Sequence, residues 1–182
     1  MKTYTKKDYN SNEGMLTSVW GPGMWHFLHI ISFNYPTNPS KSDKMNYKKF
    51  IISLKNILPC KYCRINLKEN LKKLPITNEV MLNRDNFSKY IYDLHEHINT
   101  MLGKTSNLSY ETIRERYEHF RSRCSTKKIV VKKEKGCTES LYGEKSKCVI
   151  KIVPISDKCD TFQINKKCIK KRLKTAKIVQ NR

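Results

Sequence analysis

From residue 18 to residue 123 the chain contains no run in which apolar and polar side chains alternate, the pattern a half-buried strand needs. Apolar side chains recur instead at three- and four-residue intervals, so the predicted fold is all-α, a four-helix bundle with a short fifth helix. Val19, Trp20, Met24, Trp25, Phe27, Leu28, Ile31 and Phe33 mark a first helix over residues 18–33, entered through a Gly21-Pro22-Gly23 turn and stopped by Tyr35-Pro36. Tyr47, Phe50, Ile51 and Leu54 predict a second, which ends near Leu58 because Pro59 disfavours helical geometry in the residue before it. A third starts at Cys60 and Cys63, runs through Leu67 and Leu71, and stops near Pro75. Asn83 or Asp85 caps a long fourth, with Phe87, Tyr90, Ile91, Leu94, Ile98, Met101 and Leu102 on one face and Gly103 as its stop. Residues 109–120 make the short fifth.

With 182 residues the chain can hold one core plus an extension. The expected organisation is a flexible N-terminus over 1–17, the helical domain over 18–124 and a basic, cysteine-bearing extension over 125–182. That extension carries 17 Lys and Arg against 5 Asp and Glu, which is +12 of the formal net charge of +21. Such a charge suits nucleic acid, yet a vocabulary rich in Lys, Asn and Ile also follows from AT-rich coding. The extension holds short β-prone runs at 129–131 and 148–153, and cysteines at 124, 137, 148, 159 and 168. The polar N-terminus has no apolar stretch of the length a signal peptide or membrane helix needs, so a soluble protein without a membrane partner is expected.

Cys60-Lys61-Tyr62-Cys63, preceded by Pro59, places two thiols at a predicted helix mouth. Unpaired backbone N–H groups there favour a thiolate, and Lys61 and Arg64 add positive charge. A dithiol delivers two electrons, which calls for another dithiol or a two-electron acceptor such as a flavin. Structural zinc would need a second ligand pair, which the widely spaced tail cysteines do not supply, so no metal is expected. A thioredoxin-type motif would follow a strand, and this one follows a helical segment.

Trp25 and His29 lie one helical turn apart, as do His95 and Asn99, so two helices aim aromatic and polar groups into the bundle. Singly, each histidine reads as an ordinary core residue. Together they suit a planar heteroaromatic cofactor, with Lys104 and Arg116 placed for a pyrophosphate unless they are simply solvated charge.

The ordered set Gly21-x-x-x-Trp25-x-x-Leu28-His29, Tyr35-Pro36, Phe50-Ile51, Pro59-Cys60-x-x-Cys63, Leu94-His95-x-x-Ile98-Asn99-x-x-Leu102-Gly103-Lys104 and Glu115-Arg116-Tyr117 resembles the Erv/ALR family of FAD-linked sulfhydryl oxidases. The resemblance covers about residues 18–120. It implies a helical bundle cradling FAD, usually a homodimer, that oxidises protein dithiols and reduces O2 to H2O2. It makes Cys63 the sulfur next to the flavin and Cys60 the one that meets the incoming thiolate. Trp25, His29, Tyr35, His95, Ile98 and Asn99 fall where the family contacts FAD; Gly21, Leu102, Lys104, Arg116 and Tyr117 complete the set. Glu96 and Pro22 depart from the common pattern, and no cysteine pair brackets the fourth and fifth helices.

The partners so implied are protein thiols, with a thioredoxin-like carrier among them, and O2. Similarity to members from large DNA viruses makes the host cytoplasm or the virion the expected location. The rival reading is a basic nucleic-acid or partner-binding module whose Cys-x-x-Cys is structural; an oxidase core with a basic, nucleic-acid-binding tail reconciles the two.

Overall fold

The structure, a computed structural model, describes residues 4–122, 137–138, 140–157 and 163–169. Six α-helices occur among them: α1 (Lys6–Tyr9), α2 (Thr17–Phe33), α3 (Lys41–Ile57), α4 (Lys61–Lys73), α5 (Arg84–Met101) and α6 (Tyr110–Glu118). The described residues contain no strand, only an isolated antiparallel bridge between Ser122 and Ser140.

Local chemistry sets the helix ends. Ser40 caps α3 by accepting the Asp43 N–H at 3.1 Å, and the Asp43 carboxylate accepts the Ser40 N–H at 2.9 Å, a reciprocal pair that spares two unpaired donors. Asn83 caps α5 by accepting the Asn86 N–H at 2.9 Å. Gly103, at φ 67, takes the left-handed conformation that closes α5, which other residues adopt only with strain. Leu58 is extended at ψ 136, as the residue before a proline should be, so α3 stops there.

Helix α2 packs on α5, and α3 on α4. Leu28, Ile51, Leu54, Leu67, Phe87, Ile91 and Leu94 fill the core between them. Each such side chain taken out of water contributes about 1.5–3 kcal/mol, which stabilises the pairing of helices far more than intrinsic propensity does.

One expectation changes. Gly21-Pro22-Gly23 is not a turn before the first helix but lies inside α2, which begins at Thr17. Pro22 lacks the N–H that would bond the Ser18 carbonyl, and the helix runs on through that gap. Ahead of α2, residues 6–9 form α1 under a Thr5–Asp8 capping box, and residues 14 and 15 lie against Pro59.

The chain forms two compact units, residues 1–110 and 111–182, so α6 falls almost wholly in the second. There the Leu141 N–H bonds the Arg121 carbonyl at 2.8 Å and the Glu144 N–H bonds the Lys167 carbonyl at 2.9 Å. Residues 148–153 adopt no strand, while the β-prone run at 129–131 lies outside the described residues, as do Cys124 and Cys159. No described helix is long and apolar enough to cross a membrane.

Candidate active site

Pro59 ends α3 and leaves Cys60 extended, at φ −148 and ψ 120, as the N-cap of α4. Its sulfur accepts the Cys63 N–H at 3.2 Å, the role a serine or aspartate oxygen commonly plays. The two thiols, both free, face different surroundings. The hydrogen bond from the Cys63 thiol is the main cause holding the Cys60 thiol below its ordinary pKa; the backbone N–H groups of Cys63 and Tyr62 add to it, and the Arg64 charge comes last. Cys63 packs against the apolar core, and burial first, then its bond to Cys60, pushes its thiol up to about 11. Lys61, expected to favour the thiolate, is not among the causes. Arg64 is tied to the Leu58 carbonyl, which brings its charge back toward the helix mouth.

Between α2 and α5 the indole of Trp25 stacks on the imidazole of His95, centroids 3.9 Å apart and planes 7° apart. His29 Nε2 and His95 Nδ1 are 3.1 Å apart and share one proton. Two adjacent imidazolium ions in an apolar setting would repel and lose hydration, so both are held neutral. Burial first, then the charge of His95, takes His29 down to about 3, and burial takes His95 to about 4 against an upward pull from Glu96.

One turn beyond His95, the Asn99 amide donates to Glu96 Oε1 at 3.0 Å, and the Asn99 carbonyl accepts the N–H groups of Leu102 at 3.0 Å and Lys104 at 2.8 Å. This fixes the turn that presents Lys104 to solvent. Ile98 packs on the core cluster, Leu102 is exposed, and Gly21 sits half-buried on α2 with open space where a Cβ would be. Trp25, His29, His95, Asn99 and Lys104 thus belong to one helix pair, with the rings at its middle and the cation at its end.

Tyr35 does not join them. It is 0 % exposed, its hydroxyl donates to the Met81 carbonyl at 3.0 Å, and its ring is covered by Tyr47 and Phe87 at 4.7 and 4.9 Å. Arg116 and Tyr117 lie in the second unit, where Tyr117 is buried edge-on to Phe120 with centroids 5.9 Å apart.

Gly14 and Met15 were absent from the sequence-predicted site. The Met15 N–H donates to the Pro59 carbonyl at 2.8 Å, and the Met15 carbonyl accepts from Trp20 Nε1 at 3.0 Å. A Cβ at Gly14 would lie 2.7 Å from the Pro59 oxygen and 3.3 Å from the Cys60 Cα. The bond to Pro59 joins backbone groups 44 residues apart, and it leaves no periodicity to read.

Among solved structures, the Erv1 core from yeast superposes with a TM-score of 0.51 at 20% identity, over 64% of this chain and 92% of that one. The FAD binding domain of Erv1 from Saccharomyces cerevisiae gives 0.52 at 20% identity over 57% and 94%. In sequence the chain is 41% identical over 90 residues to a probable FAD-linked sulfhydryl oxidase of Acanthamoeba polyphaga mimivirus, covering 50% of this chain and 63% of that protein. It is 30% identical over 84 residues to an FAD-linked sulfhydryl oxidase of Arabidopsis thaliana, covering 46% and 42%. An FAD-linked sulfhydryl oxidase of African swine fever virus matches at 28% over 85 residues, 47% of this chain and 69% of that one. The chain therefore spans less than two thirds of the length of the first two relatives. The Erv1 / Alr family model matches residues 22–118, a span that holds the cysteine pair and both halves of the ring cluster, and this chain belongs to that family.

Proposed function

We propose that this chain is an FAD-dependent thiol oxidase that makes disulfides in protein dithiols and reduces O2 to H2O2. The observation that carries the reading is the asymmetry of the cysteine pair: one sulfur on the helix-mouth side with a lowered pKa, the other against the core with a raised one. In the oxidised pair, a substrate thiolate attacks the Cys60 sulfur, the Cys60–Cys63 bond breaks and Cys63 leaves, taking up a proton. The substrate's second thiolate then displaces Cys60, and the substrate has lost two electrons and two protons. Leaving-group strength alone would send the first attack to Cys63, because Cys60 is the better thiolate. Access overrules that order, since Cys63 is packed against apolar side chains.

The residues present fit FAD. The Trp25–His95 stack is a half-buried flat platform, the His29–His95 pair offers neutral ring nitrogens, the Asn99 amide lies one turn on, and Lys104 stands exposed past the end of α5. Glu96 is the discordant group, a carboxylate beside Asn99. When bound, FAD would supply the two-electron acceptor needed to return the Cys60–Cys63 dithiol to its disulfide, with O2 as the final acceptor. Trp25, His29, His95, Asn99 and Lys104 would hold it, and Cys63 would face it.

The reading extends to a homodimer. Val19, Phe27 and Ile30 are exposed on α2 with Gly23 between them, spaced to form one stripe that a second copy would cover. The test is the visible spectrum of the purified chain together with oxygen uptake on a reduced dithiol. Flavin absorbance with thiol-dependent uptake and H2O2 release is expected; a protein that neither carries nor takes up FAD would sink the reading.

A further inference from the structure

The contact between residues 14–15 and Pro59 lies beside Cys60, the sulfur that meets the substrate. The Met15 backbone is held on both sides, by the Pro59 carbonyl and by the Trp20 indole, so the segment is fixed on the peptide that precedes Cys60. Gly14 allows the approach, because any side chain there would press on the Pro59 oxygen and the Cys60 Cα. The anchoring spends only backbone groups and leaves the side chains in water. Met15 is 70 % exposed and Leu16 73 %, and Tyr62, inside the Cys60–Cys63 motif, is 75 % exposed. Met15 and Leu16 thus stand in solvent on a segment anchored to the peptide before Cys60, and Tyr62 stands in solvent within the motif itself; large exposed apolar side chains so placed are of the kind that mark an interaction site.

We propose that residues 14–16 are the specificity-determining wall of the thiol-docking site, selecting an extended cysteine-bearing polypeptide with apolar residues beside its thiol over compact hydrophilic thiols. The occupant follows from the chemistry of these groups: a compact hydrophilic thiol has no apolar surface to lay on Met15 or Leu16, whereas a polypeptide with apolar residues beside its cysteine has. The inference rests on the thiol-oxidase reading for its biological meaning, but it can be tested without turnover.

In the Cys63→Ser chain, Cys60 is offered two thionitrobenzoate-activated disulfides, one on a short peptide with leucine and phenylalanine beside its cysteine, the other on glutathione. Cys60 attacks, thionitrobenzoate leaves, and the adduct at Cys60 is followed by peptide mass spectrometry, which separates it from the other thiols. Replacing Met15 and Leu16 together by Ser is expected to slow capture of the peptide about tenfold, the equivalent of losing part of one apolar contact, and to leave glutathione within about twofold. Gly14→Ala, which forces the segment off Pro59, is expected to give the same selective loss. Equal slowing with both reagents, or no change with either, would overturn the proposal. Absence of oxygen uptake by the wild-type chain alongside selective capture would instead overturn the oxidase reading and leave this one standing.

Discussion

Trp25 and His95 meet face to face across α2 and α5, 3.9 Å between ring centroids and 7° between planes, and the same imidazole stands 3.1 Å from the ring nitrogen of His29. Stacking sets the plane of the site and the histidine pair sets its charge state. Stacked aromatic pairs contribute about 0.5–1.5 kcal/mol beyond the area they bury. Trp25→Ala removes that platform, so FAD retention is expected to fall about tenfold while α-helix content stays unchanged. Equilibrium dialysis and circular dichroism read the two separately, and unchanged affinity would remove Trp25 from the site.

The histidine pair predicts how stability varies with pH. Both imidazoles are neutral in the folded chain, with pKa values taken down to about 3 and about 4 from an ordinary 6.5. The unfolded chain therefore binds protons the folded chain does not, and stability falls as pH drops below 6.5 toward those values. The loss is at most about 1.4 kcal/mol per pH unit for each histidine. Urea unfolding of the cofactor-free chain at several pH values measures it, and His29→Gln should flatten the slope. A midpoint that does not move between pH 7 and 5 would show that the pair is not held neutral.

The cysteine pair predicts an order of modification. In the reduced chain Cys60 gains thiolate character below the usual pH, while Cys63, at about 11, stays a thiol through neutrality. Brief iodoacetamide treatment should alkylate Cys60 first, with Cys63 following only as pH rises toward 11. Peptide mapping that finds Cys63 labelled first would reverse the assignment of the two sulfurs.

Tyr35 predicts a change in stability without a change in the site. Tyr35→Phe leaves the Met81 carbonyl without its donor and should cost about 1–2 kcal/mol of unfolding free energy. The flavin spectrum should be unaltered; a shifted spectrum would restore Tyr35 as a cofactor contact.

These residues also show what sequence pattern can and cannot reach. The ends of α3, α4 and α5 were legible because Pro59, Pro75, Asn83 and Gly103 act on their own neighbours by short-range sterics and capping. The pairings of Trp25 with His29 and of His95 with Asn99 were legible because each pair sits one helical turn apart, and the placing of Cys60 and Cys63 at a helix mouth because Pro59 ends the preceding helix. Pro22 misled because a proline with glycines on both sides reads as a turn, whereas here a helix already begun at Thr17 absorbs it. The burial of Tyr35 was not legible, because a motif position says nothing of accessible surface. The docking of Gly14 and Met15 was invisible, since it uses backbone donors and the absence of a side chain.

The most direct test of the central claim is oxygen consumption by the Cys63→Ser chain with its flavin absorbance recorded in the same cuvette. The account predicts that FAD remains bound and that turnover on a reduced dithiol is abolished, because Cys60 alone can form a mixed disulfide but cannot complete the two-electron transfer inward. Wild-type rates of uptake in that variant would contradict it.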